Sequence, residues 1–294
     1  MRLSRRGLLT GAAAGGGLAL AWALWPRSYE QEAQTAEGET SFGAFVKIDR
    51  SGQVIVLVPQ AELGQGVFTL FAQIVADELG ADWRTVAVQP APPSPLYANK
   101  LLAREWFDGP VKRAFGSWGD SAVDEWAQRS MLMLTGGSTS VPAFSEDLRK
   151  AGAAARVLLC MAAAARWDVT WESCDIAGGI VSDGTRKARI GELAQEAARF
   201  TLPAVLPFRP EDRDDALVGT DAPRLDMPAK IDGSANYAAD IRLPDMIYAA
   251  IRQGPVNAAG LKSINEDAAR KVPGMIGIVR EQGWVAVTAR NWWA

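Results

Sequence analysis

Glu62-Leu63-Gly64-Gln65-Gly66-Val67-Phe68-Thr69 sets one glutamine between two glycines, after an apolar strand and ahead of an amphipathic helix. Such glycines let backbone approach a ligand closely, and the helix behind offers unpaired N–H groups and a positive dipole end to an anion such as phosphate. A second small-residue loop, Gly136-Gly137-Ser138-Thr139-Ser140, repeats that arrangement ahead of a longer helix. Each loop has an ordinary alternative. The first would serve as a tight turn into a helix, and the second as an N-cap worth about 1 kcal/mol. A dinucleotide fold would want a third glycine where Thr69 stands, and a phosphate loop would want Gly-Lys-Ser/Thr; the chain has neither.

The elements that must hold these loops are legible in the spacing of apolar residues. Phe45 to Ile48 and Val54 to Val58 flank Asp49-Arg50-Ser51-Gly52 as a hairpin. Val67, Leu70, Phe71, Ile74, Val75 and Leu79 recur at helical spacing, closed by Gly80, and Val86 to Gln89 follows as a strand. The expectation is a β-β-α-β unit.

Proline-rich Pro90 to Pro95 opens an irregular stretch to about Ser117 containing Tyr97, Asn99, Arg104, Trp106 and Phe107. Its aromatics suit a lid, a partner surface or simple anchoring to the core. Ser121 to Leu134 reads as helical, and Ser145 to Trp167 as a helix burying Leu148, Ala155, Leu158, Leu159 and Ala162. Strand-like Val169 to Glu172, Ile180-Val181 and Lys187 to Ile190 follow, then a short helix from Gly191 to Ala198.

Pro203 to Asp215, with Glu211, Asp212, Asp214 and Asp215, reads as a solvated boundary between domains. Beyond it, strands at Ile247 to Arg252, Ile276 to Val279 and Trp284 to Thr288, with a helix from Asn265 to Lys271, make a small α+β unit. The predicted organisation is a signal or anchor at 1–25, a linker at 26–41, a first domain at 42–202, a linker at 203–215 and a second domain at 216–294.

Composition narrows the chemistry. The 294 residues carry 31 Lys+Arg against 34 Asp+Glu, a net charge of −3, without a basic cluster of the kind nucleic acid requires outside the N-terminus. There is no histidine, which removes Ser-His-Asp triads, histidine zinc sites and histidine haem ligation. Two cysteines are too few for a four-thiolate iron-sulfur cluster, so electrons leaving a redox centre here would need another subunit. Cys160 reads as a buried structural thiol; a disulfide with Cys174 is open. No residue is assigned as catalytic or as a metal ligand.

The N-terminus pairs Arg5-Arg6 with an apolar, Gly/Ala-rich run from Leu8 to Trp25, which fits a twin-arginine export signal and a periplasmic destination. Ala19-Leu20-Ala21 and Ala21-Trp22-Ala23 are both acceptable cleavage patterns. At about 18 residues the run is only just long enough to span a bilayer, so retention as a membrane anchor stays open.

Three blocks together resemble the molybdopterin-binding large subunits of the xanthine dehydrogenase and aldehyde oxidase family, nearest to the group typified by the isoquinoline 1-oxidoreductase beta subunit. They are Gly64 to Thr69 with Ala72 to Gly80 and Asp82-Trp83; Thr135 to Val141 with Leu148 to Arg156; and Leu217 to Gly219, Pro223 to Asp226, Pro228 to Ala235 and Tyr237 to Asp240. The third resembles the start of that family's hammerhead domain. The resemblance implies an α+β fold and a molybdenum-bearing molybdopterin, usually the cytosine dinucleotide. It implies a hydroxylase that oxidises N-heteroaromatics or aldehydes with water-derived oxygen. It also implies a partner, the small iron-sulfur subunit, with a cytochrome c as candidate electron acceptor.

By the match, Gly64, Gln65, Gly66 and Thr69 and the loop Gly136, Gly137, Ser138, Thr139 and Ser140 would contact the cofactor, with Gln65 donating its amide. The family's general base is a glutamate late in a longer chain, in a glycine- and proline-containing motif that this sequence lacks. Glu62 is the local substitute to weigh, against an ordinary strand-end role. The expectation is therefore the N-terminal part of a large subunit, inactive alone. An exported, non-catalytic binding or scaffold protein of the same fold is the alternative, and a cofactor-free α+β protein with an unrelated ligand is a third reading.

Overall fold

Alternating and continuous apolar residues build the first sheet. The computed structural model describes residue 29 and residues 33–107, 116–210, 212–255 and 260–294. The expected export signal and most of the start of the expected linker lie outside the described residues. The chain divides into two compact units, Met1–Pro228 and Ala229–Ala294.

In the first unit, β1 (Glu39–Ser41), β2 (Val46–Asp49), β3 (Val54–Val58) and β4 (Val86–Pro90) form a four-stranded sheet in that order. β1–β2 and β2–β3 are antiparallel hairpins, whereas β3 and β4 run parallel, joined by helix α1 (Val67–Leu79). This is the expected β-β-α-β unit, with β1 added at its edge. The linker expected over 26–41 therefore ends earlier. Ala33 is buried and its N–H donates to Gly43 O at 3.0 Å, and Glu39 pairs with the buried Lys47 at 2.7 Å.

Helix α1 buries Val67, Phe71, Val75 and Leu79, four residues apart, so one apolar stripe faces the core. Gly80 ends it in the left-handed conformation, with its N–H donating to Ala76 O at 2.9 Å. The stretch expected to be irregular after Pro90 contains a 3-10 turn (Pro95–Tyr97) and helix α2 (Lys100–Phe107). Helix α3 (Ser117–Arg129) lies beside α2, where Phe107 meets Trp126 edge-on at 5.1 Å. Helix α4 (Ser140–Trp167) starts five residues earlier than expected, at the second loop itself, and packs Phe144, Leu148, Ala155 and Leu159 into the main core. A strand at Val169 to Glu172 does not form: Val169 N–H continues the helix end onto Ala164 O, and Trp171–Ser173 is a 3-10 turn. The antiparallel sheet β5 (Asp175–Ala177), β6 (Ile180–Ser182), β7 (Lys187–Arg189) and helix α5 (Ile190–Ala197) complete the core.

Cys160 and Cys174 are both free and buried, the Cys160 thiol lying 3.5 Å from Cys174 O. Burial pushes the Cys160 thiol up to about 12, which keeps it protonated and unreactive.

Residues 203–210 and 212–228, which include the described part of the expected linker, are largely exposed yet anchored. They form a strap across the first unit, held mainly by arginines. Arg209 N–H donates to Glu78 Oε1 at 2.8 Å, and its guanidinium reaches Glu78 O and Asp175. Glu78 itself is buried in α1 and pairs with Arg156 at 2.9 Å and Arg149 at 3.1 Å. Thr69, Gln73 and Asp77 form a polar stripe on α1 that takes the strap's backbone: Leu225 N–H to Thr69 Oγ1, Gln73 Nε2 to Leu217 O, and Leu217 N–H to Asp77 Oδ1. The division between units accordingly falls after Pro228 rather than at 203–215.

Helix α6 (Met227–Asp232) spans that division. The second unit contains an antiparallel sheet ordered β8 (Tyr248–Gln253), β10 (Trp284–Ala289), β9 (Met275–Arg280). Helix α7 (Asp267–Arg270) is shorter than the expected Asn265 to Lys271, with Asn265 Oδ1 accepting from Asp267 N–H at 3.0 Å. Among the described residues no helix is long and apolar enough to cross a membrane, and no cluster of acidic, cysteine or histidine side chains could hold a metal ion.

Candidate functional site

The two small-residue loops meet. β3 delivers the first loop past Val58, and α4 begins directly from the second. Ala61 N–H donates to Thr135 Oγ1 at 2.8 Å, and Ser140 Oγ donates to Gln60 Oε1 at 2.9 Å. Gln60 is buried, so this joint lies beneath the exposed parts of both loops. Asn99, immediately before α2, fixes the second loop: its Nδ2 donates to Thr139 Oγ1 at 2.8 Å and to Leu134 O at 3.1 Å, while its Oδ1 accepts Leu102 N–H. Sequence reasoning missed Gln60 and grouped Asn99 with an irregular segment. Nothing in the spacing marks either amide, because Asn99 lies 40 residues from its partner Thr139 and Gln60 lies 80 from Ser140.

The first loop is arranged around Glu62. Its carboxylate accepts N–H groups of Gly64 (2.8 Å), Gly66 (3.0 Å) and Phe68 (3.1 Å). Gly66, the N-cap of α1, supplies no side-chain cap, and Glu62 takes that role from upstream. Burial, the largest single influence on Glu62, disfavours its charge. The three backbone N–H groups together outweigh it and hold the carboxyl below the ordinary glutamate range. The anion position at the head of α1 is thus filled by the protein's own carboxylate. This corrects the expectation of a phosphate there and leaves Glu62 ill-suited to accept a proton near neutral pH.

Gln65 is exposed at the loop apex, folded onto its own turn: Nε2 donates to Ala61 O at 2.8 Å and Oε1 accepts Leu63 N–H at 2.5 Å. Gly64 and Gly66 have φ of 105° and 84°, and a Cβ on either would meet no atom within 4 Å. Their free sides face open space that a ligand can approach. Gly136 is similarly open, and Ser138 is exposed.

The other expected contacts serve the protein. Thr69 is buried under the strap, Thr139 is buried against Asn99, and Ser140 is engaged with Gln60. A Cβ on Gly137 would come within 3.2 Å of Leu102 Cδ1. The groups exposed to a ligand are the Ser138 hydroxyl, glycine backbone and the Gln65 amide, which is itself bonded within its own turn. That neutral donor and acceptor set fits the hydrogen-bonding edge of a pterin, and it does not supply a phosphate site at α1.

This geometry is consistent with a molybdopterin-binding domain. Residues 7–93 match a molybdopterin cofactor-binding domain family, whose ligand carries molybdenum. The chain is 30% identical, over 99% of its length and 38% of the relative's, to the beta subunit of isoquinoline 1-oxidoreductase from Brevundimonas diminuta. It is 28% identical, over 99% of its length and 35% of the relative's, to the membrane-bound aldehyde dehydrogenase (pyrroloquinoline-quinone) of Gluconacetobacter polyoxogenes. It is also 28% identical, over 86% of its length and 19% of the relative's, to a subunit of nicotinate dehydrogenase from Pseudomonas putida. These similarities bear out the resemblance of its sequence blocks to molybdopterin-binding large subunits: nearly the whole chain aligns with the isoquinoline 1-oxidoreductase beta subunit, and residues 7–93 match the cofactor-binding domain. It spans less than two fifths of the length of each of these relatives.

Proposed function

We propose that this chain supplies the first part of a molybdopterin cradle in a molybdenum hydroxylase large subunit, exported to the periplasm by the twin-arginine route. The joint between the two glycine loops carries the reading: Ala61 to Thr135 and Ser140 to Gln60 bring together segments about eighty residues apart and leave Gly64, Gln65, Gly66, Gly136 and Ser138 open to a ligand. Gln65 would turn its amide from Ala61 O to the pterin. The cofactor would supply the oxidative chemistry at an electron-poor carbon of an N-heteroaromatic or aldehyde. The chain's own residues bind and orient it.

The cytosine dinucleotide form, a hammerhead character for residues 229–294 and an iron-sulfur partner subunit extend the same reading. The relatives' names support an isoquinoline-, nicotinate- or aldehyde-type substrate, and one of them names a quinone cofactor instead of a pterin.

Purifying the complete enzyme with its partner subunits and assaying molybdenum, pterin and pyrroloquinoline quinone tests the proposal. Molybdenum and pterin are expected together, with Gln65→Ala lowering both. Quinone without pterin, or neither cofactor, overturns it. Replacing Arg5 and Arg6 by Lys tests the export route by retaining precursor in the cytoplasm.

A further inference from the structure

We propose that Arg224 is a positioning residue for the Gly64–Gly66 loop, coupling the docked strap to the conformation in which that loop receives its ligand. The inference rests on reading the loop as a cofactor contact, and its geometry stands separately. Arg224 makes a two-point pair with Asp226, Nε to Oδ1 at 3.0 Å and Nη2 to Oδ2 at 2.9 Å, which fixes the plane of its guanidinium. Held so, Nη1 donates to Gly64 O at 3.1 Å and Nη2 to Glu62 Oε1 at 3.3 Å. One side chain therefore grips both the glycine carbonyl at the loop's turn and the carboxylate that organises its N–H groups.

The next residue adds a backbone anchor, Leu225 N–H to Thr69 Oγ1 at 3.1 Å, in the first turn of α1. Gly64 and Gly66 have positive φ and no packing partner at their Cβ positions, so packing against side chains does not hold this turn. Hydrogen bonds to Glu62, to Arg224 and to the Gln65 side chain hold it instead. Lysine cannot replace this arrangement, because one ammonium lacks the planar fork that reaches Asp226, Glu62 and Gly64 O together.

The test uses hydrogen exchange on the full chain with Arg224→Gln and Arg224→Lys, and pterin retention in the complete enzyme carrying the same changes. Exchange at Gly64, Gly66 and Phe68 is expected to rise roughly tenfold in both variants, while β3 and α4 stay within about twofold of wild type. Pterin loss on dialysis is expected to speed up in parallel. Unchanged loop exchange overturns the proposal, as does a rise spread evenly through the first unit, full rescue by lysine, or looser loop amides with unaltered pterin retention. Wild-type enzyme devoid of pterin would instead refute the functional reading, and the exchange measurements would still decide whether Arg224 holds the loop.

Discussion

Ser140 Oγ donates to Gln60 Oε1 at 2.9 Å, tying the first residue of α4 to a buried amide just beyond β3. Ser140→Ala would strip a buried acceptor of this donor, at an expected cost of about 1–3 kcal/mol. Urea unfolding checks the magnitude. In a double-mutant cycle with Gln60→Leu, the two losses should fall short of additive; strict additivity would mean the bond contributes nothing.

Glu78 holds two arginines, Arg149 and Arg156, and the strap residue Arg209 inside the first unit. Removing one partner of a buried ionic cluster leaves the others uncompensated, so Glu78→Ala is expected to cost about 3–5 kcal/mol. Limited proteolysis should then cut within residues 203–215 faster than in the wild type. An unchanged rate of cutting would show that the strap does not depend on Glu78.

The same residues explain what the sequence could and could not tell. β3 and α1 were readable to the residue because Val54–Val58 is a continuous apolar run and Val67, Phe71, Val75 and Leu79 keep one helical stripe ending at Gly80. The strap was not, because Arg209 and Arg213 look like solvated charges until their partners on α1 are known, and Arg224 until its partners in the first loop are. Thr69, Gln73 and Asp77, four residues apart on α1, were the overlooked sign that this helix has a second buried face. In the site, glycine spacing located both loops, but it could not distinguish exposed Gln65 and Ser138 from Thr69 and Thr139, whose hydroxyls are consumed by Leu225 and Asn99.

Glu62 makes the loop sensitive to acid. Its carboxyl is held below the ordinary range by three N–H donors acting against burial, so its stabilisation is present above the unfolded-state pKa, about 4.3, and is lost as pH falls through the folded value. Glu62→Ala is expected to cost about 1 kcal/mol at pH 7, the usual worth of a helix cap. Urea midpoints across pH 7 to 3 check this. The gap between wild type and variant should close toward the acid end, and a gap independent of pH would remove charge from the account.

Gly152 lets α4 approach α1 closely. A Cβ there would stand 2.8 Å from Val75 O, 3.0 Å from Glu78 Cβ and 3.4 Å from Leu79 N. Alanine is the better helix former by about 1 kcal/mol, but two of those three neighbours are backbone atoms and cannot swing aside. The helices must separate, at a typical overpacking cost of about 1–3 kcal/mol. The separation would also strain the ion pairs from Glu78 to Arg149 and Arg156, both on α4. Gly152→Ala should therefore lower the urea midpoint without changing the slope. Gly136→Ala is the control: its Cβ would meet no atom within 4 Å, and stability should stay within about 0.5 kcal/mol of wild type. Equal losses at the two positions would show that glycine backbone freedom, rather than the contact between α1 and α4, governs both.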